Sequence, residues 1–215
     1  MIKVILLFTL FFFTACSFST PPNEWQYKTS NSFELYVKNF LSSKENVAED
    51  DFNRAVKHAK QSSNLDILAK IYLGKCAINN SVGIEDKCME YVEIESLVES
   101  KSLNSYYLFI NKKLKKEDIK YLPSVYQDFA YMYLNKNYKQ AKQEMFSIEK
   151  ISSKLIAANM LKKNLNTIDI EKLLEEVSFY GYKKSVIYWL EVLKTKTKET
   201  RKINKIDKRI KILKS

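Results

Sequence analysis

The chain has 215 residues and a formal net charge of +11. It contains only three glycines and three prolines. Because an all-β fold needs many turns, which are rich in both residues, this composition favours helices. The length suits one domain with a hydrophobic core or a short array of repeats. A basic chain is a candidate for nucleic-acid binding, but the N-terminus argues against that class of partner.

The N-terminus has the parts of an export signal. Lys3 precedes an apolar run over residues 4–13, and the small residues Thr14 and Ala15 follow it. A membrane-spanning helix needs roughly twenty apolar residues, so the sequence predicts a cleaved signal and not a permanent span. An exported protein does not meet nucleic acid, and no nucleic-acid partner is expected.

Residues 13–16 read FTAC, and this segment resembles the lipobox of bacterial lipoproteins. The resemblance implies cleavage before Cys16 and acylation of its sulfur and amine, which together give stable membrane anchoring. The alternative is an unmodified cysteine in a cleaved signal. Ser17 stands where aspartate often marks inner-membrane lipoproteins, so the resemblance favours the periplasmic face of the outer membrane. We expect a signal peptide over residues 1–15 and a lipidated, flexible linker over 16–31.

Residues 32–193 are expected to form the folded domain. Apolar residues recur at helical spacing throughout, and no segment shows a convincing strand pattern. Asn46 is the expected cap of the second helix. The predicted helices cover 33–41, 47–59, 65–76, 88–98, 103–110, 117–122, 124–133, 138–148, 152–161, 168–180 and 182–193. This succession of short helices and turns predicts an all-α fold of stacked antiparallel helical hairpins.

Two further cysteines lie on either side of a predicted turn. Cys76 falls near the end of one helix and Cys88 early in the next, so an oxidising envelope would allow a disulfide between them. Closing so short a loop would stabilise the fold by about 3 kcal/mol. The alternative is two independent buried thiols. A metal site is not expected, because the chain has no C-x-x-C motif and a single histidine.

A short pattern recurs at residues 51–55, 137–141 and 181–185. Each copy places a turn-forming residue, an aromatic residue and then a small residue three positions later. The pattern resembles the start of the second helix in tetratricopeptide and Sel1-like repeats, in a degenerate form. The resemblance implies an α-solenoid of hairpins, and an irregular helical domain that packs its hairpins in the same way is the alternative.

The C-terminal segment 194–215 holds ten basic and two acidic residues. Ile203, Ile206, Ile210 and Leu213 are spaced 3, 4 and 3 apart, so they form one apolar stripe on a helix. Such a helix either caps the last hairpin or lies against an anionic membrane or an acidic partner. Anionic headgroups are therefore a second candidate partner of this segment.

No motif identifies a reaction, and no cofactor is expected. His58 lies within a predicted helix without a nearby nucleophile, and the glycines are too scattered for a phosphate loop. The pair Glu95-Ser96 resembles the catalytic motif of lytic transglycosylases, which would make Glu95 a general acid. The glycine-rich segment that follows this motif in that family is absent.

Aromatic residues in the second half of the domain are more numerous than one buried stripe requires. Tyr131, Tyr133, Tyr182 and Trp189 are the candidates for a concave partner-binding face. The sequence thus favours a membrane-anchored lipoprotein without enzymatic activity, acting as a protein–protein scaffold in a bacterial envelope assembly. A peptidoglycan-active enzyme or cell-wall binder that uses Glu95 is the alternative.

Overall fold

The computed structural model describes residues 23–215, and all the regular secondary structure in this part of the chain is helical. The helices are α1 (Glu24–Leu41), α2 (Glu45–Ala59), α3 (Asp66–Ser81), α4 (Met89–Val92), α5 (Lys101–Ile110), α6 (Ser124–Leu134), α7 (Tyr138–Ser147), α8 (Ile151–Leu161), α9 (Thr167–Phe179), α10 (Lys183–Lys196) and α11 (Thr200–Lys214). Two 3-10 helices cover Glu95–Leu97 and Lys116–Tyr121. The predicted all-α class is confirmed.

The helices α3 and α8 form the centre of the domain. They contact each other, and nine of the eleven residues of α8 are buried. The hairpins α1/α2 and α6/α7 contact this pair, and α10 also contacts α1. The hairpin α9/α10 reaches α8 through the ion pair Lys154–Glu176 and the hydrogen bond from the Tyr188 hydroxyl to the Asn159 side chain (2.8 Å). In a regular solenoid each repeat touches only its neighbours along the chain. Because the first and tenth helices are in contact, the structure corresponds to the irregular form of the helical-repeat prediction.

The three hairpins share one turn geometry. In each, the second residue after the first helix has a positive φ, namely Ser43 (62°), Lys136 (58°) and Gly181 (67°). The N–H of the following residue donates to a carbonyl five positions earlier, in the pairs Lys44–Asn39 (2.9 Å), Asn137–Met132 (3.0 Å) and Tyr182–Val177 (3.1 Å). These are Schellman turns, which satisfy the last carbonyls of the first helix.

The recurring sequence pattern marks two of these three turns. Tyr138 is the first residue of α7, and Tyr182 directly precedes α10, as the pattern predicted. The copy at 51–55 is misplaced, because Phe52 lies in the middle of α2. Asp51 is not a turn residue there. It is buried, and its carboxylate accepts a hydrogen bond from the Asn39 amide (2.7 Å) and pairs with Arg54.

The first helix begins earlier than the sequence suggests. α1 starts at Glu24, so the predicted linker over 16–31 is too long by eight residues. The early part of α1 buries Thr29 and Ser32 in place of large apolar side chains, and the Thr29 hydroxyl donates to the Trp25 carbonyl (2.7 Å). Without an apolar stripe, this segment lacks the periodicity on which the prediction depended.

Three other boundaries differ from the prediction. Asn46 does not cap α2, which begins one residue earlier at Glu45. The expected helix over 88–98 is reduced to the single turn of α4 and a 3-10 turn, and Cys88, directly before α4, has a left-handed backbone (φ 57°). The segment predicted as a helix over 117–122 is a 3-10 helix.

The predicted disulfide between Cys76 and Cys88 is present, with an S–S distance of 2.01 Å. It attaches the C-terminal half of α3 to the start of α4. Asp86 orders the loop between them, since its carboxylate accepts hydrogen bonds from the Asn79 side chain (2.7 Å) and the Cys88 N–H (2.8 Å). The disulfide and the hydrogen bonds of Asp86 thus stabilise the same loop.

The C-terminal helix α11 packs along α10. Ile206 and Ile210 are buried, and Leu213 packs against the same core. The apolar stripe is therefore covered by the domain, which corresponds to the capping alternative. The predicted boundary at residue 194 falls inside α10, which continues to Lys196.

Candidate binding groove

A groove of about 840 Å³ opens beside the central helices. Ligand pockets typically have volumes of roughly 300–1,000 Å³. Residues of α1, α3, α5, α6 and α8 line it, together with the turn between α9 and α10. We call it the aromatic groove, because its lining includes Phe33, Tyr106, Tyr126, Tyr180 and Tyr182. Its walls are mostly apolar, which suits a ligand with an apolar surface.

Gly74 in α3 allows the Phe33 ring of α1 to lie close against the backbone of α3. A Cβ atom at this position would overlap the ring of Phe33 from α1. Glycine inside a helix costs about 1 kcal/mol relative to alanine. The close approach of the Phe33 ring to the α3 backbone gives this glycine a structural role.

Two tyrosines bring hydroxyl groups into the apolar lining. The rings of Tyr106 and Tyr126 are stacked with their centroids 5.8 Å apart. Ser153 of α8 contributes a third hydroxyl group to the same lining. Burial raises the pKa of Tyr126 to about 12 and raises the pKa of Tyr106 well above its ordinary value. Both phenols are therefore neutral at physiological pH and offer polar but uncharged contacts.

Charged side chains lie only where the groove meets solvent. Lys38, Lys70 and Lys150 are exposed, as is Glu34, and Asp66 is half-buried. The Lys150 ammonium lies 3.3 Å from the Glu34 carboxylate and so connects α8 to α1. Because both groups of this pair are exposed, it contributes little to stability. The rim thus carries both signs of charge around an apolar interior.

The structure separates the four aromatic residues proposed from the sequence. Tyr182 lines the aromatic groove, whereas Tyr131 is 53% exposed elsewhere on α6. Tyr133 is half-buried, with its ring 5.9 Å from that of Phe129. Trp189 is wrong as a partner-binding residue, because it is fully buried in the core (0% exposed). The helical stripe that predicted α10 correctly did not indicate which of its aromatic residues faces solvent.

Most of the groove residues were not predicted as a site. Phe33 falls in the predicted helix 33–41, and no signal in the sequence distinguishes it, Tyr106 or Tyr126 from other aromatic residues. The lining comes from helices that are far apart in the chain, between Phe33 and Tyr182. No local sequence pattern can report such a combination, so only the tertiary structure brings these residues together.

Glu95 begins the 3-10 turn at Glu95–Leu97 and is half-exposed. It does not line the aromatic groove. Among residues 23–215, the one group of three potential metal ligands is Cys76, Asp86 and Cys88. Both sulfurs of that group are joined in the disulfide, so neither is a free thiolate that could bind a metal.

No protein-family description, curated protein or solved structure matches this chain. In the part of the chain that the structure describes, no helix is long and apolar enough to span a membrane. Cys16, the predicted lipidation site, lies outside the described residues.

Proposed function

We propose that the protein is a bacterial lipoprotein, anchored through Cys16 at the periplasmic face of the outer membrane. Its helical domain is a non-enzymatic scaffold that docks an apolar segment of a partner protein in an envelope assembly. The FTAC segment at 13–16 supports the anchor, and the observation that carries the docking role is the aromatic groove.

The lining of the groove suits a polypeptide. Five aromatic rings supply large apolar contact areas at a low cost in side-chain entropy. The Tyr106, Tyr126 and Ser153 hydroxyls can exchange hydrogen bonds with the amide groups of a bound backbone. Charges of both signs at the rim can pair with polar residues on either side of an apolar segment.

Anchoring strengthens such docking without any new contact. A protein held at the membrane and a partner in the same membrane meet at an effective concentration set by the tether. Asn23, the first described residue, is seven positions after Cys16 in the chain. At roughly 3.3–3.6 Å per residue this segment spans at most about 25 Å. The domain would thus stay close to the bilayer that holds its partner.

Two valines provide a matched test of the docking site. Val125 lines the groove and is 43% exposed, whereas Val47 lies on α2 outside the groove and is 49% exposed. A photo-crosslinking amino acid at each position, in cells, should give a discrete crosslinked partner from position 125 only. The variant Val125→Glu should lower recovery of that partner by about tenfold or more, because a charge would be buried against the apolar segment. Val47→Glu should leave recovery unchanged.

The anchor has its own test. Cys16→Ala should move the protein out of the membrane fraction and reduce recovery of the same partner. Equal crosslinking from positions 125 and 47, or crosslinks from position 125 to cell-wall fragments alone, would contradict the scaffold role. The placement of Glu95 outside the groove gives no support to a peptidoglycan-active enzyme.

A further inference from the structure

The charge of the chain is concentrated in its last 22 residues. Residues 194–215 hold ten basic and two acidic residues, so they carry +8 of the total of +11. The other 193 residues together carry only +3. Such asymmetry is typical of a segment that contacts a polyanion or an anionic surface.

The structure places this charge on the outer side of α11. Five cations there are exposed and have no carboxylate partner among residues 23–215: Arg201, Lys205, Lys208, Arg209 and Lys211. At about 100° per residue they occupy an arc opposite the apolar stripe. We call these five residues the α11 basic face.

Nothing on α11 neutralises this face. The two nearby carboxylates are already paired: Asp207 with Lys194 (2.7 Å) and Glu199 with Lys202 (3.2 Å). Ile212 lies in the middle of the basic arc and is 72% exposed. The face therefore presents an apolar side chain surrounded by unpaired cations.

We infer that the α11 basic face is a second membrane contact, which rests on anionic lipid headgroups without inserting into the bilayer. Insertion as an amphipathic helix would require the apolar stripe, and Ile206 and Ile210 are buried against the domain. What remains is electrostatic attraction to headgroup phosphates, with Ile212 able to enter the headgroup region. The choice of a bilayer over other polyanions rests on the proposed anchoring.

Two contacts with one surface would orient the domain. A single attachment point at the N-terminus does not by itself fix the orientation of the helices relative to the membrane. Adding the α11 basic face restricts the domain to orientations in which this helix lies along the bilayer. The anchor raises the local concentration of the basic face at the surface, so even a weak contact would be occupied.

The full-length protein allows a specific label on this face. Cys76 and Cys88 form the disulfide, and Cys16 is the proposed lipidation site, so Ile212→Cys introduces a thiol for a fluorophore. The labelled protein is reconstituted into phosphatidylcholine vesicles with and without phosphatidylglycerol. Each vesicle type also carries a headgroup-attached quencher. Quenching should be stronger in the anionic vesicles and should decrease as salt is raised above ~0.15 M.

Two charge-matched variants identify the responsible residues. Replacing all five cations of the α11 basic face with Gln should reduce the anionic-lipid quenching by about tenfold or more. The control replaces five exposed lysines without ion pairs elsewhere, Lys57, Lys60, Lys113, Lys115 and Lys139, with Gln. Its net charge changes by the same amount, and its quenching should be close to that of the parent protein.

Three outcomes would overturn the inference. The first is equal quenching in neutral and anionic vesicles, and the second is an equal loss in the two charge-matched variants. The third is displacement of the label from anionic vesicles by polyglutamate or duplex DNA at low concentration, which would assign the face to an acidic protein or a nucleic acid. The assay contains no partner protein, so it is independent of the docking groove. Co-sedimentation with neutral vesicles separately reports whether the N-terminal anchor holds.

Discussion

The helices α8 and α11 differ in how much of their surface is buried and in how their apolar residues are arranged. α8 buries nine of its eleven residues, and α11 buries only two of its fifteen. The sequence of α8 is apolar around most of its circumference, whereas α11 has separate apolar and basic arcs. A helix of the first kind belongs at the centre of a domain, and its sequence does not indicate which neighbours surround it. The sequence of an amphipathic helix such as α11 predicts which side faces inward, but it does not predict which element covers that side.

The largest expected difference between the two helices is in core packing. Leu155 of α8 is fully buried, so Leu155→Ala should lower the free energy of unfolding by about 2–5 kcal/mol. Ile212→Ala on the exposed side of α11 should change it by less than about 0.5 kcal/mol. Urea unfolding followed by circular dichroism measures both. Similar losses at the two positions would contradict the assignment of α8 to the centre of the domain.

The buried phenol of Tyr126 makes a pH-dependent contribution to the stability of the fold. The pKa of Tyr126 is raised from its ordinary value of 10.0 to about 12, so the protonated phenol is favoured in the folded state. Its contribution is fully present below pH 10 and is lost as the pH rises through about 12. The expected loss is about 2–3 kcal/mol.

Between pH 10 and 12 the variant Tyr126→Phe should therefore lose less of its free energy of unfolding than the parent protein does. Tyr131→Phe is the control, because Tyr131 is exposed on the same helix α6. Unfolding by urea at several alkaline pH values, with tyrosinate absorbance recorded in parallel, provides the measurement. If the two variants lose stability in parallel with the parent protein, Tyr126 is not the buried phenol described above.

The smallest expected loss of stability is at the interface between α11 and α10. Ile206 is buried there, but α11 lies at the edge of the domain, where the surroundings can adjust. Ile206→Ala should lower the free energy of unfolding by about 2 kcal/mol, at the lower end of the range for such substitutions. Lys205→Ala on the adjacent exposed position is the control for helix propensity. An unchanged midpoint for Ile206→Ala would mean that α11 does not cap the domain in solution.

The sequence predicted helices where one face is apolar and the turns are marked. It located α5 to α10 closely, with the ends of α7 to α9 within one residue of the structure. It failed at the start of α1, where the buried residues are Thr29 and Ser32, and at residues 88–98, where Cys88 adopts a positive φ. At the start of α1 the buried side chains are small and polar, and hydrophobic periodicity does not register such residues.

The candidate site was less accessible to prediction than the fold. Tyr182 was the one proposed aromatic residue that lines the groove, and Trp189 proved to be buried. Both residues lie at or near α10, only seven positions apart. The periodicity of a helix fixes the relative directions of such side chains, but the environment that each direction meets depends on other helices.

The sequence by itself determined the helical class, the cysteine pair and the segregation of charge at the C-terminus. Each of these follows from composition or from spacing within a short segment, where neighbours along the chain are also neighbours in space. Only the tertiary structure decided that α1 reaches α10, that α3 and α8 lie at the centre, and that helices from Phe33 to Tyr182 enclose one groove. These features depend on contacts between segments that are distant in the chain. Many helices have similar apolar faces, and the fit of their side chains determines which faces pack together.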